Sequence, residues 1–224
     1  MKVISPFALG ATMYMPVITN DALACIKGIK YPNLRSLVLC LEDALHEKDI
    51  DTGLQRLREI LQELLSNAKR EEQAPLVFVR PRNIAMAREI VQMRGINEID
   101  GLVAPKVRPG QIADWISVLN GTNLKLMPTL ETAEAFDAEA MRVLCQEMLE
   151  NEPDRILAIR FGGNDLMSCI GVRRQRGISL YEGPLNYVVS MLISIFGSRG
   201  FALTSPVFDD VADLDGLRKE LVRD

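Results

Sequence analysis

Charged side chains directly follow short apolar runs at five places in the sequence. The runs are LVLCLED, LVFVRPR, GLVAPK, KLMPTLE and ILAIRFGGND. The charged residues at or near their ends are Glu42 and Asp43, Arg80 and Arg82, Lys106, Glu131, and Asp165. If the runs are parallel strands, their carboxyl ends converge on one edge of the sheet, where α/β folds place their reactive groups. The pattern predicts a single site that combines carboxylates with cationic side chains.

Glu131 and Asp165 are the predicted ligands of a divalent cation, because they end neighbouring strand candidates. Magnesium suits such a pair, since it keeps several waters and needs only one or two carboxylates from the protein. Manganese remains an alternative. Glu42 and Asp43 would accept hydrogen bonds from waters on the cation, which holds the geometry without direct ligation. Their alternative role is helix capping or salt-bridge formation.

Arg80 is the first choice for binding a substrate carboxylate, because its planar guanidinium offers two parallel hydrogen bonds. Arg82 competes for the same role, since alternate residues of a strand point to the same face. Pro81 between them disturbs the register, so the choice stays open. Lys106 is assigned to the same substrate-binding group.

Gly162 and Gly163 in the FGGND segment directly precede the predicted metal ligand Asp165. Paired glycines after a strand allow main-chain N–H groups to face an anion, so both are assigned to substrate binding. The alternative is a plain tight turn into the next helix.

Apolar runs alternate with amphipathic stretches from end to end, which predicts parallel strands joined by crossover helices. The predicted strands cover residues 12–17, 37–41, 76–79, 102–104, 126–129, 156–161 and 201–204. The predicted helices cover residues 20–27, 51–68, 84–94, 110–119, 132–149, 185–196 and 213–221. We expect one α/β domain over residues 1–224, a TIM-type (β/α)8 barrel that lacks its eighth strand, either because the chain is truncated at its C-terminus or because the protein is a reduced barrel.

Composition excludes several other classes. The net charge of −4 disfavours nucleic-acid binding, which needs a concentrated basic field. Four widely spaced cysteines and a single histidine, His46, favour a reducing compartment and give no zinc site and no catalytic triad. No signal peptide is visible, and no segment approaches the roughly 20 apolar residues of a membrane span. We expect a cytoplasmic protein.

Five strings at these strand ends resemble, in order, the motifs of the citrate lyase β-subunit and HpcH/HpaI aldolase family. They are LCLEDAL, FVRPRN, GLVAPKV, PTLETAEAF and RFGGNDL. By motif position, the family's metal-binding Glu and Asp fall on Glu131 and Asp165, and its substrate-binding Arg falls on Arg80. Arg82 stands where the family usually has Asn. The L-E-D segment falls on Glu42 and Asp43, and the P-K segment falls on Lys106.

The resemblance implies a TIM-barrel carbon–carbon lyase or aldolase that uses Mg²⁺ or Mn²⁺ and assembles as a homotrimer or homohexamer. It also implies a small oxo-acid substrate, such as pyruvate, glyoxylate or oxaloacetate, with the metal stabilising the enolate. The first strand lacks the preceding Arg of relatives that bind coenzyme A, so a free acid and an acyl thioester both stay open.

Two other functions remain as alternatives. One is a catalytically incomplete barrel that acts as a binding or assembly subunit in a biosynthetic pathway. The other is a different metal-dependent barrel enzyme that handles substrates resembling phosphoenolpyruvate.

Overall fold

A computed structural model describes residues 4–67, 70, 73–175, 177–208, 210 and 212–223. Within these residues six parallel strands form one sheet in the order β1-β2-β3-β4-β5-β6. The strands are β1 (Thr12–Pro16), β2 (Ser36–Cys40), β3 (Leu76–Arg80), β4 (Gly101–Ala104), β5 (Lys125–Leu130) and β6 (Arg160–Phe161). Each pairs with the next along the chain, which is the topology of consecutive β-α-β units and confirms the predicted α/β class.

The strands are apolar because most of them are covered on both faces. Every residue of β2, β3, β4 and β5 is buried, and β1 alone is half-buried along its length. The register is regular: Ser36 of β2 pairs with Thr12 on one side and with Leu76 on the other. Parallel strands flanked by helices bury both faces, which explains why these runs lack the alternation of a half-exposed strand.

Eight α-helices occur in the described residues. They are α1 (Ala22–Ile26), α2 (Ile50–Asn67), α3 (Ile84–Val91), α4 (Ile112–Val118), α5 (Ala138–Glu150), α6 (Gly163–Cys169), α7 (Asn186–Leu192) and α8 (Leu214–Arg223). The predicted last residue of α2, Ala68, lies outside the described residues. No described helix is both long and apolar enough to cross a membrane.

Four elements differ from the sequence prediction, one of which is the strand predicted over 156–161, shortened to the two residues of β6. The predicted helix over 132–149 is a 3₁₀ turn, Ala133–Phe136, followed by α5, because the Asp137 side chain caps α5 by accepting from the N–H of Glu139 at 2.8 Å. The predicted strand over 201–204 is reduced to one parallel bridge between Ile159 and Leu203. Helix α6 was not predicted.

The chain divides into two compact units. The first unit comprises Met1–Pro105 and Asp114–Met127, and the second comprises Lys106–Ala113 and Pro128–Asp224. The core of the first unit includes Leu39, Leu57, Phe78, Ile90 and Trp115. The core of the second includes Met141, Leu144, Met148, Leu192 and Phe196. The expectation of a single domain over residues 1–224 stays a prediction.

Candidate active site

In the first unit, a buried ion pair joins the ends of two neighbouring strands. Glu42 lies two residues beyond β2 and is 6% exposed, while Arg80 is the last residue of β3 and is 9% exposed. Arg80 Nη2 lies 2.8 Å from Glu42 Oε2 and 3.7 Å from the Oδ2 of Asp43, whose side chain is exposed. Glu42 Oε2 also accepts from the N–H of Asp43 at 3.1 Å. The three predicted residues form one cluster, in which Glu42 and Arg80 neutralise each other's charge.

Arg82 has different partners from Arg80. Its Nε donates to the carbonyl of Leu41 at 3.1 Å, and its Nη2 donates to the carbonyl of Leu45. Because both acceptors belong to the loop that follows β2, the Arg82 guanidinium holds that loop in place. The next residue, Asn83, caps α3 by accepting from the N–H of Met86 at 2.9 Å.

In the second unit, Glu131 is the residue directly after β5 and is only 3% exposed. Its Oε1 accepts from the main-chain N–H of Lys106 at 2.9 Å. Lys106 adopts φ of +50°, a left-handed conformation that costs a residue with a Cβ roughly 1–2 kcal/mol. A buried carboxylate needs such hydrogen bonds to remain charged, because burial itself disfavours the charged form.

Gly162 lies against the same carboxylate. A Cβ added at Gly162 would come within 2.7 Å of the Cβ of Glu131 and closer still to its Oε2, so only glycine fits beside this side chain. The N–H of Gly162 donates to the carbonyl of Leu130 at 3.0 Å, which commits it to strand pairing in this structure. Gly163 begins α6 and is confined by the side chain of Leu180, since a Cβ added at Gly163 would lie 2.5 Å from Leu180 Cδ1.

Asp165 lies in the first turn of α6, three residues beyond Gly162, and its side chain is half-buried. Within the described part of the chain, no group of three or more His, Cys, Asp or Glu side chains is placed to hold a metal ion. A pair of carboxylates is nevertheless the donor set that Mg²⁺ needs from a protein, since waters and substrate supply the other ligands. Glu131 and Asp165 both supply carboxylate oxygens, the type of donor that Mg²⁺ prefers.

Arg160 is a residue that the sequence reasoning missed. It is the first residue of β6, is 8% exposed, and pairs in register with Thr129, two residues before Glu131. Alternate strand residues point to one face, so Arg160 shares its face with Gly162, whose added Cβ would meet Glu131. The signal was a lone cation inside the apolar run ILAIRF, where a buried strand should carry none.

The carboxyl group of Glu134, three residues beyond Glu131, has a pKa below its usual value. A hydrogen bond from Thr132 lowers the pKa of Glu134 below its usual value, and its own main-chain N–H and the more distant Arg108 act in the same direction. Arg108 Nε lies 3.5 Å from Glu134 Oε1. Hydrogen bonding thus lowers the pKa of Glu134 more than the charge of Arg108 does.

The fold and these two clusters define an α/β protein with carboxylates and arginines at the ends of parallel strands. A family model described as C–C bond lyase of the TIM-barrel fold matches residues 3–224. The chain belongs to this family, and both the predicted family and the predicted TIM-barrel fold are confirmed.

Solved structures with the same fold are distant in sequence. RipC from Yersinia pestis is 16% identical, with a TM-score of 0.66 over 95% of this chain and 82% of that one. The citrate lyase β subunit of M. tuberculosis, complexed with oxaloacetate and magnesium, is 16% identical, with a TM-score of 0.64 over 93% and 83%. The magnesium/glyoxylate complex of Haloferax volcanii malate synthase is 18% identical, with a TM-score of 0.71 over 94% of this chain and 66% of that one. No curated protein matches the sequence.

Proposed function

We propose that this chain is a divalent-metal-dependent carbon–carbon bond lyase that acts on a small oxo acid, either free or as its acyl thioester. The observation that supports the proposal is that the Glu131 carboxylate is buried and is fixed by a hydrogen bond from the N–H of Lys106 at 2.9 Å. A protein gains little stability from burying one carboxylate in this way, whereas a metal site needs a fixed oxygen donor.

Glu131 and Asp165 would hold Mg²⁺, or Mn²⁺ in its place. When bound, the cation would act as a Lewis acid that stabilises the negative charge of an enolate. The protein's own task is to hold the two carboxylates in the correct direction. The Lys106 N–H supports the charged form of Glu131, and the close approach of Gly162 limits the positions open to its Oε2.

Arg80 is the proposed partner of a substrate carboxylate, with Glu42 and Asp43 keeping its guanidinium oriented. The ion pair at 2.8 Å fixes one edge of the guanidinium, which favours Arg80 over Arg82, because Arg82 is engaged by loop carbonyls. Lys106 and Gly163 remain proposed substrate contacts. The prediction that the Arg80 cluster and the Glu131 cluster line one mouth stays a prediction.

The solved relatives support the choice of substrate and metal. Oxaloacetate and magnesium are bound by the M. tuberculosis citrate lyase β subunit, and glyoxylate and magnesium by the H. volcanii malate synthase. Another M. tuberculosis structure contains magnesium, acetoacetate and coenzyme A, which keeps an acyl thioester open for this chain. A homo-oligomer in the cytoplasm stays a prediction.

A titration with Mn²⁺, followed by electron paramagnetic resonance, tests the metal site. We expect Glu131→Gln and Asp165→Asn each to weaken binding by more than about 100-fold, because even residues behind the ligands change metal affinity about 10–100-fold. Glu139→Gln, which removes an exposed carboxylate on α5, is the matched control and should bind as the wild type does. Equal binding by all four proteins would refute the metal assignment.

Turnover separates the lyase from its alternatives. With Mg²⁺ present, the chain should cleave or form a carbon–carbon bond with glyoxylate, pyruvate or oxaloacetate as one partner. The reduction of the predicted seventh strand to one bridge favours the second candidate, a binding or assembly subunit. That candidate predicts oxo-acid binding without turnover. Affinity for phosphate esters but not for pyruvate would instead indicate an enzyme for substrates resembling phosphoenolpyruvate.

A further inference from the structure

Two successive main-chain N–H groups point toward the same segment of the second unit. The N–H of Lys106 donates to Glu131 Oε1 at 2.9 Å, and the N–H of Val107 donates to the carbonyl of Thr129 at 3.1 Å. In an extended strand successive N–H groups point in opposite directions. One neighbouring segment therefore cannot accept hydrogen bonds from both of them. The chain must leave the extended conformation at Lys106 for both bonds to form.

The backbone of Lys106 makes this change by adopting φ of +50°. Among the described residues, Lys106 and Glu152 are the two non-glycine residues with positive φ. Successive N–H groups turned to one side by a left-handed residue form a concave donor surface that suits an anion. Such a conformation persists in a residue with a Cβ only where the surrounding contacts require it.

The loop that begins with Lys106 is tied to the second unit at two further points. Arg108 Nε lies 3.5 Å from Glu134 Oε1, and the N–H of Gly110 donates to Glu147 Oε1 at 2.7 Å. These two contacts fix the residues that follow Lys106 in the sequence. The direction of the Lys106 N–H therefore depends on the whole loop.

The opposite side of the Glu131 carboxylate is bounded by Gly162. An added Cβ at Gly162 would collide with Glu131, so the two residues are in close contact. The Oε2 atom of Glu131 therefore cannot move toward Gly162. Oε1 accepts a hydrogen bond from the N–H of Lys106, and the position of Oε2 is limited on one side by Gly162.

We propose that Lys106 is a positioning residue whose main-chain N–H, rather than its ammonium group, orients the Glu131 carboxylate for cation binding. The inference rests on the proposed function only in that Glu131 is taken to be the metal ligand. It predicts that the affinity for the cation depends on whether residue 106 can adopt positive φ.

A pair of substitutions separates the two roles of Lys106. Lys106→Gly and Lys106→Val both remove the ammonium group, but glycine adopts positive φ readily and a β-branched residue resists it. We expect Lys106→Gly to bind Mn²⁺ within about 3-fold of the wild type and Lys106→Val to bind it about 10–100-fold more weakly, the range for residues that orient a ligand. Glu152→Gly is the matched control, because it relieves the same strain at φ of +47° away from Glu131.

Amide chemical shifts in ¹H–¹⁵N spectra provide a test that needs neither metal nor substrate. A hydrogen bond to a carboxylate is stronger than one to a neutral amide, so Glu131→Gln should move the residue 106 amide proton upfield. The same amide should keep its wild-type position in Lys106→Gly, corrected for the residue type, and in Glu152→Gly.

Equal weakening of Mn²⁺ binding by Lys106→Gly and Lys106→Val would overturn the inference in favour of the ammonium group. An amide of residue 106 that ignores Glu131→Gln would overturn it as well. If the amide responds but the wild type binds no Mn²⁺, the positioning stands and the proposed function fails.

Discussion

The two clusters of charged residues are stabilised in different ways. In the first unit, the side chains of Glu42 and Arg80 form an ion pair at 2.8 Å, so charge is balanced by charge. In the second unit, the carboxylate of Glu131 accepts from the main-chain N–H of Lys106 and lies against the Cα of Gly162. Both acidic groups are buried, at 6% and 3% exposure. A side-chain cation thus contacts the Glu42 carboxylate, and a main-chain N–H contacts the Glu131 carboxylate.

This difference bears on what each cluster can do. The planar guanidinium of Arg80 carries several N–H donors, which suits its proposed role in binding a substrate carboxylate. The Glu131 carboxylate accepts from a main-chain N–H, which supports its proposed role as a cation ligand. Removal of Glu42 should therefore act mainly on stability, and substitutions at or beside Glu131 should act mainly on metal affinity.

The largest effect on stability is expected from Glu42→Ala. Removing one partner of a buried ion pair leaves the other charge uncompensated, which costs about 3–5 kcal/mol in the free energy of unfolding. The matched control is Glu59→Ala, which removes the acidic partner of Arg56 from a more exposed pair and should cost about 0–1 kcal/mol. Urea unfolding monitored by circular dichroism measures both.

If Glu42→Ala lowered the free energy of unfolding by less than about 1 kcal/mol, the ion pair would behave like one on the surface. The proposed contrast between the two clusters would then be wrong. Mn²⁺ affinity provides the second half of this test. If the two clusters are specialised as described, Glu42→Ala should change that affinity less than Glu131→Gln does.

A smaller loss of stability, but a clear loss of metal affinity, is expected from Gly162→Ala. The added Cβ would overlap with Glu131, and overpacking of this kind costs about 1–3 kcal/mol. Because the carboxylate is the part that must move, Mn²⁺ binding should weaken about 10-fold or more. Gly183→Ala is the control, since a Cβ there would have its nearest neighbour at 3.8 Å.

The contrast would fail if Gly162→Ala and Gly183→Ala bound Mn²⁺ equally well. It would also fail if Gly162→Ala bound normally but lost as much stability as Glu42→Ala, because packing rather than positioning would then explain the glycine.

Much of this architecture was predictable because its signals are local. Buried parallel strands require apolar runs, and the six observed strands fall on six of the predicted runs. The prediction that charged residues gather at strand ends also located Glu42 beside Arg80. The hydrogen bonds of Arg82 to the carbonyls of the neighbouring loop were not predictable, because they depend on how that loop folds.

Other features depend on contacts that no local pattern encodes. The left-handed conformation of Lys106 follows from two hydrogen bonds to residues more than 20 positions away, and lysine gives no sign of it. The break between the 3₁₀ turn and α5 had a visible signal, the capping residue Asp137, which the apolar periodicity outweighed. The burial of Arg160 could not be predicted without knowing that β6 begins at this residue.

The smallest effect, and the most direct test of hydrogen bonding against charge in the second unit, is expected at Glu134. Its pKa lies below the ordinary value of 4.5, chiefly because Thr132 donates to it, while Arg108 contributes least. A depressed pKa in the folded state stabilises the protein above the unfolded value, and this stability is lost as pH falls through the folded value. Thr132→Val should raise the pKa of Glu134 toward 4.5. The stability that the protein loses on acidification below that pH should then be smaller, by less than about 1 kcal/mol for this partly exposed group.

Carboxyl ¹³C titration measures the pKa of Glu134 directly, and Arg108→Gln is the comparison that should change this pKa less. A larger shift in Arg108→Gln than in Thr132→Val would mean that charge dominates here too, and the distinction between the two clusters would then be confined to Glu131 itself.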